Sequence, residues 1–161
     1  VIKESHLQVL EHLCVELSDG KINWVITGSL GFALQGMPVT VGDIDLQTDA
    51  KGAYEIENRF REYVVRSVRL SEAERIRSHY GELLIDGVKV EIMGDVQKKQ
   101  PGETVWGAPT PLNAHKRIID VGGFPIPVLS LEYEHSAYVA LDRHEKATAI
   151  LEWMRRDQHQ I

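Results

Sequence analysis

Residues 22 to 46, INWVITGSLGFALQGMPVTVGDIDL, constrain this chain more than any other stretch. Ile22 to Thr27 is apolar and partly β-branched, which predicts a buried strand. Gly28 and Ser29 follow, then a short helical turn over Leu30 to Gln35, ended by Gly36 and Pro38. The next strand, Asp43-Ile44-Asp45-Leu46, alternates two acids with two large apolar residues. Alternation puts Ile44 and Leu46 on a buried face and aims Asp43 and Asp45 at the same place. Side chains two apart on a strand stand ~6.6 Å from each other. At an effective dielectric of ~20, two full charges at that distance repel by roughly 2.5 kcal/mol. A divalent cation converts that repulsion into binding, and Mg²⁺ typically takes one or two carboxylates together with substrate phosphates.

A third acid repeats the pattern. Residues 82 to 93, ELLIDGVKVEIM, read as a hairpin with Asp86-Gly87 as a type I′ turn. On its second strand Val88, Val90 and Ile92 share one face, and Lys89, Glu91 and Met93 share the other. Glu91, flanked by large apolar residues, is the expected third carboxylate. The bland alternative is a surface acid paired with a cross-strand cation.

Strand, Gly-Ser, short helix and Asp-x-Asp, with a later acid, resemble the signature of the DNA polymerase β-type nucleotidyltransferases. The likeness spans residues 22 to 95 and is greatest to the small members, near the antibiotic nucleotidyltransferases and the minimal nucleotidyltransferase antitoxins. It implies an α+β fold in which a mixed sheet is flanked by helices and two helices close the chain. It further implies that Gly28 and Ser29 hold the triphosphate of a nucleotide such as ATP. Asp43, Asp45 and Glu91 would then be the metal ligands and catalytic residues, binding one or two Mg²⁺. Catalytic relatives often carry an Arg soon after Gly-Ser, whereas Leu30 to Leu34 are uncharged here. That departure keeps open a non-catalytic nucleotide-binding or toxin-neutralising module with the same fold.

With 161 residues the chain suits a single domain over 1–161, with a core at 22–95 and a C-terminal hairpin and helices over 115–157. No apolar run approaches a membrane span and no signal peptide opens the sequence, so a cytoplasmic protein is expected. The single Cys14 excludes an internal disulfide and suits that setting. A net charge of −6 without any long Lys/Arg run argues against a polynucleotide partner, which needs many phosphate contacts. A nucleoside triphosphate and a small-molecule or protein acceptor require far less.

The remaining elements follow from periodicity. Ser5 to Leu17 predicts a helix with Leu10, Leu13 and Cys14 on one stripe, and Lys51 to Tyr63 another. Val64 to Leu70 reads as a strand, and Gln97 to Ala114 as a long loop around Trp106. Arg117 to Val128 reads as a hairpin turning at Gly122-Gly123. Ser130 caps a helix to about Leu141, with Glu132 and Glu134 in its first turn. Glu145 to Arg156 closes the chain, with Ala149, Ile150, Trp153 and Met154 inward. About five strands are expected in the sheet. Ser29 reads both as a helix N-cap and as a phosphate contact, since both use free N–H groups.

Several rival chemistries fail on their own spacing. Met37-Pro38 stands where a phosphate loop needs Lys and Ser/Thr, and Thr27 where a nucleophile elbow needs Gly. Thr48 occupies the glycine position of a calcium loop, and one Cys without a close His pair argues against zinc.

Overall fold

Val25, Ile26, Ile44, Leu46, Val90 and Ile92 are wholly buried and lie on the three strands at the middle of one sheet. A computed structural model describes residues 2–159. In chain order the described elements are α1 (Glu4–Glu16), β1 (Trp24–Thr27), α2 (Gly28–Leu34), β2 (Ile44–Thr48) and α3 (Ala50–Arg59). They continue with β3 (Val64–Glu72), β4 (Ile76–Ile85), β5 (Val88–Lys98), the single turn α4 (Leu112–His115), β6 (Lys116–Val121) and β7 (Phe124–Leu129). The last two are α5 (Leu131–Ala140) and α6 (His144–His159). Among the described residues no helix is long and apolar enough to cross a membrane.

The α+β class with a mixed, helix-flanked sheet is as expected, but the described sheet has seven strands rather than about five, in the order β3-β4-β5-β2-β1-β7-β6. The C-terminal hairpin accounts for the difference. β7 pairs parallel with β1, so β6 and β7 extend the central sheet instead of forming a separate ribbon. The other hairpin is also longer than its apolar pattern indicates. β4 begins at Ile76 and β5 runs to Lys98, because backbone pairing continues beyond the alternating stretch. Asp86 and Gly87 both have positive φ, as the type I′ turn requires.

The sheet has two unlike faces. α1 and α3 cover one, where Leu10, Leu13, Ile56 and Phe60 join Ile26, Ile44, Leu46, Val90 and Ile92 in the main core. Cys14 is buried there with its Sγ 3.7 Å from the Pro125 carbonyl, so it is a packing residue. His12 is half-buried, edge-on to Phe60 at 5.3 Å. On the opposite face, Val25 packs with Leu112, Leu129 and Tyr133, which seats α5 at the β1/β7 end. The last two helices pack as a pair through Leu131 and Ile150, with Phe32 of α2 and Met37. Ala147, not Ala149, is the buried alanine of α6.

The predicted long loop is largely tied down. Gly107 N–H donates to the Lys98 carbonyl (2.9 Å) and Thr110 N–H to that of Val96 (3.0 Å). Trp106 lies under two cations, Arg77 at 4.9 Å and Lys99 at 4.6 Å from its ring centre. Two arginines of β3 and β4 are engaged similarly: Arg66 over Tyr80, and Arg77 with Glu72 and Gln97.

Candidate active site

The site begins where β1 turns into α2. Gly28 has φ of +67°, and a Cβ placed on it would meet Asp45 Oδ2 at 2.3 Å. Glycine is required twice over here, by the backbone angle and by the carboxylate lying against it. Gly28→Ala should therefore lower the melting temperature and displace Asp45. The left-handed backbone alone costs about 1–2 kcal/mol, and a thermal melt of the purified variant checks it. A melt unchanged from wild type would mean that the turn relaxes freely.

Ser29 does not cap its helix. α2 starts at Gly28, two residues earlier than an N-cap Ser29 requires, and Thr27 occupies the capping position without a side-chain bond to the helix. Ser29 Oγ instead accepts the Gly42 N–H at 3.1 Å, which ties the turn to the residue before Asp43. Gly42 is held from its other side as well, its carbonyl accepting from His6 Nε2 at 2.7 Å. The Ser29 hydroxyl proton remains to be donated.

β2 sets the carboxylates. Ile44 and Leu46 are anchored in the core, and a one-residue slip would drive the acids into it. Asp43 lies one residue before the strand and is exposed, while Asp45 is half-buried within it. Asp45 pairs with Thr27 on β1 and, across the parallel β2/β5 ladder, with Glu91. The structure therefore places Asp45 and Glu91 side by side on one face of the sheet, joined by a hydrogen bond. Asp43 is linked to Glu91 through Lys89, whose Nζ lies 3.7 Å from Asp43 Oδ2, 3.5 Å from Glu91 Oε1 and 3.0 Å from Glu82 Oε2.

The electrostatics are those of crowded acids. Burial pushes the Asp45 carboxyl up to about 8, reinforced by the hydrogen bond to Glu91 and the charges of Glu91, Asp43 and Glu134. Burial also raises Glu91, but hydrogen bonds from Asp45, Tyr80 and Lys89 outweigh it and hold Glu91 below its usual value. Burial and the neighbouring charges thus favour a protonated Asp45 beside an ionised Glu91. Tyr80 donates its hydroxyl to Glu91 (2.9 Å) and Glu82 (3.1 Å), and burial between those acids raises its pKa strongly.

Four residues of this site lie outside the sequence-derived set: Glu82, Tyr80, Lys89 and Glu134. Glu82 and Tyr80 are cross-strand neighbours of Glu91 and Met93, so they follow once the hairpin register is known. Lys89 was legible as a neighbour of Glu91 on the same face. Glu134 carried no signal beyond a first-turn acid. It is 5% exposed and accepts from Thr27 Oγ1 at 2.6 Å and from Gly28 N–H at 3.2 Å. Burial raises its pKa, while those two hydrogen bonds and the nearby Lys98 and Lys146 oppose the rise.

Beside Gly28 and Asp45 a cavity of about 160 Å³ runs between the sheet and α5. Gln47, Met93, Val96 and Tyr138 line it, with Lys98 and Arg143 as its cations. Lys98 Nζ is held 3.1 Å from the Tyr133 hydroxyl.

Among the described residues no group of three or more His, Cys, Asp or Glu side chains is arranged to hold a metal ion as they stand. Lys89 is between the acids instead. The donors nevertheless fit a hard divalent cation: they are carboxylate oxygens, and three carboxylates surround one ammonium with Asp45 beside Glu91, leaving negative charge in excess.

A family model for aminoglycoside-2''-adenylyltransferase matches residues 9–151 of the chain. The fold is similar to a candidate nucleotidyltransferase from Thermotoga maritima, 52% identical, with a TM-score of 0.85 over 97% of this chain and 96% of that one. It is also similar to ANT(2'')-Ia in complex with adenylyl-2''-tobramycin, at 9% identity and a TM-score of 0.56, covering 96% of this chain and 92% of that one. The solution structure of the antibiotic-resistance factor ANT(2'')-Ia gives 11% identity and 0.57, over 94% of this chain and 86% of that one. At 9–11% identity the likeness is one of fold. No curated protein matches the sequence.

Proposed function

The chain belongs to the aminoglycoside-2''-adenylyltransferase family, among the polymerase β-type nucleotidyltransferases, and from that premise we propose that it transfers a nucleoside monophosphate from a nucleoside triphosphate to an acceptor hydroxyl, releasing pyrophosphate. The whole chain, 1–161, acts as one nucleotidyltransferase-like unit in this reading. The observation that carries it is the registered pairing of Asp45 with Glu91, with Gly28 turned directly against Asp45.

Gly28 and Ser29 set the phosphates, with the Ser29 hydroxyl as donor. Lys98 and Arg143, which line the adjoining cavity, supply the positive charge that Leu30 to Leu34 lack. Asp43 and Asp45 would hold Mg²⁺, which would neutralise the phosphate oxygens and stabilise the attacking and leaving groups. Loading the site releases the Asp45 proton, because a ligating carboxylate must be ionised. Glu91, already ionised and held by Tyr80 and Lys89, orients the acceptor hydroxyl and accepts its proton. The donor is ATP and the acceptor a small hydroxyl compound, in keeping with the adenylylated antibiotic held by ANT(2'')-Ia. The net charge disfavours a polynucleotide acceptor, and a cytoplasmic setting supplies the donor.

One observation favours the second reading, a nucleotide-binding or toxin-neutralising module without turnover. The Gly28 N–H, a natural phosphate donor, is already bonded to Glu134. A thermal-shift titration with ATP and Mg²⁺, followed by transfer from labelled ATP to a panel of hydroxyl acceptors, separates the two. Nucleotide at ~100 times its dissociation constant should add roughly 2.7 kcal/mol of stability, and Asp43→Asn should remove most of that shift. Label transferred to an acceptor supports the enzyme; a shift without transfer on any acceptor supports the module. An undiminished shift in the variant would place the nucleotide away from Asp43.

A further inference from the structure

Lys89 is placed as a cation of the site rather than as a surface residue. It shares the Glu91 face of β5, and the core residues Val88 and Val90 on either side fix that orientation. Its ammonium lies within 4 Å of carboxylates from three separate segments: Asp43 ahead of β2, Glu82 on β4 and Glu91 on β5. An ordinary surface ion pair needs one partner. A divalent ion bridging Asp43 and Glu91 would have to lie about 2.0–2.1 Å from an oxygen of each. The Lys89 ammonium, 3.7 and 3.5 Å from those same oxygens, fills that space and repels a second cation entering it.

Resting on the nucleotidyl-transfer reading, we propose that Lys89 stands in for a second metal ion: the site takes one divalent cation, at Asp43 and Asp45, and the Lys89 ammonium is the fixed positive charge on the acceptor side, between Asp43 and Glu91. No distance under 4 Å links Lys89 to Asp45 among the ion pairs of the described residues, so the inner position stays free for the cation that accompanies the nucleotide. The side chain is 39% exposed, anchored by acids rather than by packing, which suits a charge that also meets the acceptor. In this arrangement Glu91 is oriented by protein groups alone, Lys89 and the Tyr80 hydroxyl.

The test counts ions directly. Mn²⁺ replaces Mg²⁺, the α,β-methylene analogue of ATP holds the site without turnover, and electron paramagnetic resonance of the free ion gives the Mn²⁺ bound per chain. Wild type should bind one Mn²⁺ per nucleotide complex, and Lys89→Met should bind two. Two ions in wild type would overturn the stand-in role while leaving the transfer reading intact. One ion in the variant would overturn it as well, since Lys89 would then not be what excludes the second. No nucleotide-dependent Mn²⁺ in wild type would overturn the transfer reading itself, and this inference with it. Lys89→Gln provides the same comparison if the methionine variant fails to fold, and the wild-type count requires no variant.

Discussion

Asp45→Asn should yield a protein that melts higher than wild type at pH 8.5 without metal, and that transfers no nucleotide. The two effects have one cause. In the unfolded chain Asp45 ionises near ~3.9, whereas in the fold it keeps its proton up to about 8. Across that window the native state binds more protons than the unfolded one, so its stability falls as pH rises. The full deficit is present above pH 8. Taking only half of the displacement, because Asp45 and Glu91 share one proton, gives about 3 kcal/mol at ~1.4 kcal/mol per unit. For a chain of this size that is roughly 6–12 °C in Tm. Asparagine removes the deficit, since its amide donates to Glu91 where the protonated carboxyl did. The gap between variant and wild type should be widest above pH 8 and close toward pH 4. The same substitution removes a ligand of the proposed metal, which at several kcal/mol of charge stabilisation should cost at least ~10³-fold in transfer. Melts across pH and a transfer assay check both, and a variant less stable than wild type at pH 8.5 would show that the fold does not raise the Asp45 carboxyl.

How much of this arrangement was legible beforehand depended on whether one strand's alternation carried it. Asp45 and Glu91 were legible because each is flanked by apolar residues that must bury, and burial fixes the direction of the acid between them. The Gly-Ser turn was legible as a strand-to-helix junction. The second role of Gly28, as the surface on which Asp45 rests, depends on the β1/β2 register, which no local pattern encodes. Lys89 shows the same limit from another side. Its face was evident from the alternation, but its three carboxylate partners come from three segments that meet only in the sheet.

Glu134 is the clearest loss, and its physics explains why. An acid in the first turn of a helix is an ordinary surface feature, stabilised by the helix dipole. Here α5 lies across the end of β1, so that residue is buried and finds Thr27 and Gly28 more than a hundred residues earlier. The sheet exceeds the expected strand count for a similar reason: β7 joins β1 through a parallel pairing that only the folded chain brings together. Turn chemistry, by contrast, is local, and Asp86-Gly87 and Gly122-Gly123 turn where their residues demand positive φ.

Glu91→Gln should separate binding from chemistry, and the hydrogen-bond network predicts an asymmetry between them. Glutamine keeps the size of the side chain and an oxygen that still accepts from the Tyr80 hydroxyl, so the local packing is preserved. What it loses is the charge. Glu91 is one of the groups that hold the Asp45 proton in place, both by hydrogen bonding and by its negative charge. Without it Asp45 ionises at lower pH, and the proposed metal competes with a more weakly held proton. At pH 7 the variant should therefore show a Mg²⁺-ATP melting shift equal to or larger than that of wild type. Transfer should nevertheless fall by ~10²–10⁴-fold, the usual contribution of a positioned general base. Saturating Mg²⁺ must be established first, so that the loss is read at full occupancy. A fall in kcat with KM for ATP unchanged is the expected signature, since an interaction made only in the transition state has been removed. Undiminished transfer in the saturated variant would remove Glu91 from the chemistry. Loss of the Mg²⁺-ATP shift together with transfer would instead make Glu91 a ligand of the metal, and would count against Lys89 as the cation it faces.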